Sequence, residues 1–142
     1  ASSLPTFPYY LSYYNPILGG SARAPQVMMI GWGEGLDQAA RYLNEKPFAE
    51  DLRVMSWYPD GCFSYIFKGE TLGAEPEWEQ TEPIVFGADY VVTYIHQWQR
   101  GLPFPEMLAY FSEQTPEKVI FLNGLEYAQI YNMQAMNESS GE

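Results

Sequence analysis

Apolar and polar positions along the chain fall into blocks of alternating strand and helix period. The clearest block runs from Gln26 to Asn44. Val27, Met28, Met29 and Ile30 form an apolar run of strand length, Gly31 to Gly35 form a turn containing Trp32 and Glu34, and apolar residues recur at Leu36, Ala39, Ala40 and Leu43. The pattern predicts a strand, a tight glycine turn and a helix that stops at Pro47. Leu52 to Tyr58 reads as a second strand, closed by the turn Pro59-Asp60-Gly61. Strand, helix and strand in this order imply a parallel pair joined by a right-handed crossover.

Cys62 to Lys68 allows two periods: Phe63, Ile66 and Phe67 suit a short helix, and Phe63, Tyr65 and Phe67 suit a strand. The helix is the favoured expectation. Gly69 to Pro83, with five glutamates around Trp78, reads as an acidic surface loop. Asp89 to Arg100 opens with an apolar block and turns polar, which predicts a buried central strand at Tyr90 to Ile95 in its first half and a second half that emerges at the sheet edge. Tyr94, His96 and Trp98 would then share one face. Pro103 and Pro105 introduce a short helix with Met107, Leu108 and Phe111 as its packing stripe. Asn123-Gly124 between two β-type runs is the preferred type I′ hairpin turn and predicts a closing antiparallel hairpin. The tail 134–142 has no periodicity and is expected to be disordered.

These elements predict an α/β layered domain over 26–133, with a mixed sheet, a parallel β-α-β start, a C-terminal antiparallel hairpin and flanking helices. Residues 1–25 carry Pro5, Pro8 and Pro16 and the tyrosines Tyr9, Tyr10, Tyr13 and Tyr14. They read as an extended arm that either packs its rings on the domain or forms an aromatic belt beside a membrane.

Composition narrows the function classes. The chain has 142 residues and a formal net charge of −11, which repels phosphate backbones and argues against nucleic acid as a partner. No apolar run reaches the roughly 20 residues that cross a bilayer, so the chain reads as soluble. It opens on Ala1, which suggests a piece of a longer protein. Aromatic residues make up 17% of the chain, more than one core of this size needs, so some are expected to coat a surface or groove.

The candidate chemistry centres on the glycine turn, because ligands in open α/β sheets sit at the carboxyl ends of strands. Glu34 and Asp37 lie at a predicted helix start, where they either favour the helix dipole or serve as acid or base beside Trp32. The G-x-G-x-x-G fingerprint fails because Leu36 stands where its third glycine belongs, so no dinucleotide is expected. His96 is the sole histidine and Cys62 the sole cysteine, so neither a His pair nor a Cys pair exists at ligand spacing, and no metal or other cofactor is expected. Trp32, Trp57, Trp78 and Trp98, with carboxylates such as Asp60 nearby, are the planar faces and acceptors that sugars meet in binding sites. The candidate ligand pocket is therefore Trp32, Glu34, Asp37, Trp57, Asp60, His96 and Trp98.

Five segments in order, PYYLSYYNPILGG, GWGEGLDQAARYLN, SWYPDG, ADYVVTYIHQWQRGLP and VIFLNGLEYAQIYNM, resemble the C-terminal region of bacterial membrane glycosyltransferases of family 39. These are relatives of the dolichyl-phosphate-mannose protein mannosyltransferases and the aminoarabinose transferases. The resemblance implies a non-catalytic domain on the extracytoplasmic side of a bacterial cell membrane, with the membrane portion of the parent as its partner. The parent would use a polyprenyl-phosphate sugar donor. Such a domain would be a cap or a glycan- or acceptor-binding module. A free-standing small α/β enzyme or sugar-binding module, with its pocket at Gly31 to Asp37, is the alternative.

Overall fold

The computed structural model describes residues 33–141; the arm, the apolar run Val27 to Ile30 and Trp32 lie outside them. The chain runs α1 (Leu36–Asn44), a 3₁₀ turn (Ala49–Asp51), β1 (Arg53–Ser56), β2 (Glu70–Leu72), α2 (Trp78–Gly87), β3 (Tyr90–Tyr94), α3 (Ile95–Arg100), α4 (Pro105–Ser112), β4 (Lys118–Leu122), β5 (Leu125–Asn132) and α5 (Met133–Ser140). The fold is α/β. Its five strands form one mixed sheet in the order β2-β1-β3-β5-β4. β1 pairs in parallel with both β2 and β3, and β5 pairs antiparallel with both β3 and β4. No helix among the described residues is long and apolar enough to cross a membrane.

Each face of the sheet buries a different set of helices. On one face α1 lays down Leu36, Ala39, Ala40 and Leu43, the positions its period marked, against Val54, Val92, Tyr94, Tyr127 and Ile130. On the other, Val85 of α2, Met107 and Phe111 of α4 and Met133 of α5 cover Met55, Val91 and Tyr131. The connection from β1 to β2 places Phe63 and Phe67 on the α1 face, and the connection from β2 to β3 places α2 on the opposite face. The neighbouring parallel strands β1 and β3 thus send their chains to opposite faces, β1 to Phe63 and Phe67 and β3 to α4, and such a divergence opens a crevice at their carboxyl ends.

Several expectations are corrected. Cys62 to Lys68 is neither helix nor strand but a run of turns, bonded from Tyr65 N to Gly61 O at 3.1 Å and from Phe67 N to Phe63 O at 2.9 Å. The expected acidic loop holds β2 and most of α2, with Pro83 inside the helix. A three-residue edge strand is too short to show alternation, and Arg53 Nε bonds Glu70 Oε2 across it at 2.9 Å. β3 lies in the middle of the sheet and ends at Tyr94, where the chain turns directly into α3. Tyr94, His96 and Trp98 therefore do not share a strand face. The tail expected to be disordered contains α5, whose first turn is capped by Asn132 Oδ1 accepting from Ala135 N at 3.1 Å.

The closing hairpin forms as its Asn-Gly signal requires, with φ of 51° at Asn123 and 77° at Gly124. β5 is buried on both faces from Tyr127 to Tyr131 because it lies between two strands and under helices on either side. At the opposite end of the sheet, Glu117 ties α1 to the hairpin. It pairs with Lys46, accepts from Tyr42 Oη at 2.7 Å and accepts from Asn132 Nδ2 at 3.0 Å.

Two measurable consequences follow from this packing. A Cβ on Gly69 would lie 2.4 Å from the Leu52 carbonyl oxygen and 2.6 Å from that of Ala49, whereas one on Gly87 meets nothing within 4 Å. Gly69→Ala is expected to lower the urea-unfolding free energy by about 2 kcal/mol or more, and Gly87→Ala to change it by less than about 1 kcal/mol. Burial alone would raise the Glu117 carboxyl, but the bonds from Lys46, Tyr42 and Asn132 outweigh it and hold that carboxyl below its usual range. A carboxyl depressed in the folded state contributes stability above its unfolded value and loses it as pH falls through the folded one. Thermal melts should therefore drop in midpoint below a pH of about 4, and Glu117→Gln should lower the midpoint at neutral pH while flattening that acid limb.

Candidate functional site

Three segments meet at the carboxyl ends of the parallel strands: the glycine turn before α1, the Trp57 to Gly61 loop after β1, and the β3 to α3 junction. The junction needs no loop because Gln97 Oε1 accepts the Tyr94 N–H at 2.8 Å and caps the first turn of α3. The Tyr94 side chain reaches the other way. Its hydroxyl accepts from Gly33 N at 2.9 Å and donates to the Glu34 carbonyl at 3.0 Å, with Glu34 Oε2 at 3.3 Å. Burial first, and the Glu34 charge second, push the Tyr94 hydroxyl far above its ordinary value, so it stays protonated and keeps its donor.

Gly33 is held from a second side, where Cys62 Sγ donates to its carbonyl at 3.3 Å. A Cβ at Gly33 would sit 2.7 Å from that sulfur, and φ there is 109°, so the turn requires glycine on both counts. Burial raises the Cys62 thiol, which places it with structural cysteines and away from thiolate nucleophiles.

After β1, Tyr58 adopts φ 56°, a left-handed backbone that costs a bulky residue about 1–3 kcal/mol. Its ring is fixed edge-on against Tyr94 at 6.2 Å and His96 at 6.4 Å between centroids, and Trp57 lies 6.2 Å from His96. Arg100 Nη1 bonds His96 Nε2 at 3.2 Å. A guanidinium can only donate, so Nε2 offers its lone pair and the ring proton lies on Nδ1, 3.5 Å from the Tyr58 oxygen. His96 is thereby a buried spacer between Arg100 and Tyr58.

Beside these rings is a cavity of about 230 Å³, walled by Trp57, Tyr58, Pro59 and Pro103 and floored by Met55, Val92 and Met107. Ala74, which follows β2, lies at its exposed rim. Ser56 and Gln97 are its buried polar lining residues, and none of the described lining residues carries a charge. Ser56 Oγ donates to the Trp57 carbonyl at 3.0 Å and retains its lone pairs. Gln97 is 2% exposed. With its oxygen committed to Tyr94, its NH₂ group is the end left to the cavity. Trp57 Nε1 is the buried side-chain polar atom left without a hydrogen-bond partner among the described residues, at a cost of about 1–3 kcal/mol.

Of the predicted pocket residues, Trp57 and His96 come together here, and Glu34 joins through Tyr94. Asp37 lies in the first turn of α1, 3.8 Å from Arg41 Nε, and gives that helix no side-chain cap, since Gly35 is its N-cap. Asp60 is exposed in a shallow hollow with Pro59, Gly61 and Cys62. Trp98 bonds Gln129 Oε1 at 3.0 Å and packs with the core under α4, away from the cavity. The glycine turn is thus a buttress, and the cavity lies beside β1 instead. Tyr58, Ser56 and Gln97 were not predicted. The strand-ending SWYPDG turn carried a signal for the first two, while Gln97 depends on a strand-to-helix switch that periodicity does not reveal.

Comparison with models of protein families, with curated proteins and with solved structures finds no match.

Removing the Tyr94 hydroxyl leaves the buried Gly33 N–H without its bond. Tyr94→Phe is expected to reduce unfolding free energy by about 1–3 kcal/mol in urea titration and to speed amide exchange at Gly33 and Gly35, with the rest of the sheet protected as before.

Proposed function

We propose that this chain is a non-catalytic extracytoplasmic domain of a bacterial membrane glycosyltransferase that uses a polyprenyl-phosphate sugar donor. Its role in this reading is to hold part of a glycan or acceptor, with the membrane portion of the parent as its partner. The observation that carries the reading is the cavity between Trp57 and Met107 at the carboxyl ends of β1 and β3. Sugar rings present an apolar face of C–H groups, which stack on planar aromatic side chains, and oxygens at their edge, which need a few placed polar groups. Trp57 and Tyr58 supply the planes, and Ser56 and Gln97 supply the polar groups. The ordered resemblance of five segments to the family 39 transferases supplies the parent.

Two measurements test this. Isothermal titration of the 142-residue chain with neutral mono- and oligosaccharides should give saturable binding at millimolar affinity or tighter, weakened at least tenfold by Trp57→Ala; no heat with any sugar would overturn the binding role. Hydropathy of the coding sequence upstream of Ala1 should show several apolar spans of about 20 residues, and a start codon directly before Ala1 would overturn the parent assignment.

A further inference from the structure

The floor of the cavity matches few of a plain sugar's hydroxyl groups. A hexose placed in it would bring several hydroxyl groups against Met55, Val92, Met107 and Pro103, and each hydroxyl left unbonded weakens binding. Apart from the indole N–H of Trp57, the lining offers one matched pair of polar groups. Gln97 presents an amide NH₂, fixed in orientation because its oxygen accepts from Tyr94 N at 2.8 Å. Ser56 presents hydroxyl lone pairs, since its proton goes to the Trp57 carbonyl at 3.0 Å. A donor and an acceptor beside an apolar floor complement a ligand with one carbonyl oxygen, one N–H and one methyl group. Charged groups fit poorly, because none of the described lining residues carries a charge to offset their desolvation.

Resting on the sugar-binding reading above, we infer that the cavity selects an acetamido group, and hence an N-acetylated hexosamine within a glycan. The carbonyl accepts from Gln97 Nε2, the amide N–H donates to Ser56 Oγ, and the methyl is buried against Met55 and Met107, which share one face of the sheet. The pyranose ring then stacks at the rim formed by Trp57 and Tyr58, where its hydroxyls keep their water. An apolar cavity with a single amide-matched pair discriminates by leaving that pair unbonded when the acetamido group is missing, which is the stronger form of selectivity.

The test titrates the 142-residue chain with N-acetylglucosamine, N-acetylgalactosamine, glucose, galactose, glucosamine and N-acetyl-lysine amide, followed by amide chemical shifts and by heat. Both N-acetylhexosamines should bind about tenfold or more tightly than the unacetylated sugars, with shifts at Ser56, Gln97 and Met107. Titrated at a pH that ionises the new carboxyl, Gln97→Glu keeps an oxygen to cap α3 and removes the donor, so it should weaken N-acetylhexosamine binding about tenfold with its far-ultraviolet spectrum unchanged. Ala74→Trp, at the exposed rim, should block entry without touching the floor. Equal binding of acetylated and plain sugars would overturn the acetamido inference and leave the sugar-binding reading standing. Equal binding of N-acetyl-lysine amide would overturn the sugar as its carrier, and no binding of any sugar would overturn both.

Discussion

The carboxyl end of β3 is the point on which the rest of the structure depends, and Tyr94 is the residue that fixes it. Its backbone N–H is bonded by Gln97, which starts α3, and its hydroxyl is bonded by Gly33 and Glu34, which start α1. One residue therefore sets where the central strand stops and where the helices on either side begin. Burial and the neighbouring Glu34 charge keep the hydroxyl protonated. A protonated phenol can both accept and donate, which a phenolate could not, so the two-sided clasp and the depth of its burial are one arrangement.

From that clasp the cavity arises as a consequence of topology. β1 sends its chain toward the α1 face and receives β3 on its other side by way of α2. The two connections diverge, and the space between them is walled by Trp57, Tyr58, Pro59 and Pro103, with Ala74 at the rim. Gln97 serves both purposes with the two ends of one amide. Its oxygen holds the helix start, and its nitrogen is what remains for the cavity.

The surroundings differ sharply in charge from the cavity itself. The chain carries a net charge of −11, yet the described cavity lining is neutral, and Arg100, outside that lining, bonds His96. An acidic surface around an uncharged aromatic recess disfavours anionic ligands and leaves neutral polar ligands unaffected. The left-handed backbone of Tyr58 places an aromatic ring at the edge of that recess, which is where strained residues in folded proteins tend to gather.

What the sequence determined by itself is local. The apolar period of Leu36 to Leu43, the strand at β1, the stripe Met107, Leu108 and Phe111, and the Asn123-Gly124 hairpin were all legible, because each is specified by neighbours within a few residues. The α/β class followed from their order. What only the tertiary structure decided depends on partners distant along the chain. β2 exists because β1 offers it an edge, α3 follows Tyr94 directly because a side chain three residues on takes the N–H of that last strand residue, and β5 is buried on both faces because strands and helices converge on it. The site followed the same division. Trp57 and His96 were recognisable as chemistry, but which residues joined them was set at the end of β3. There, pairing on both sides leaves no freedom for the strand, and its capping and hydroxyl bonds direct the chain that follows.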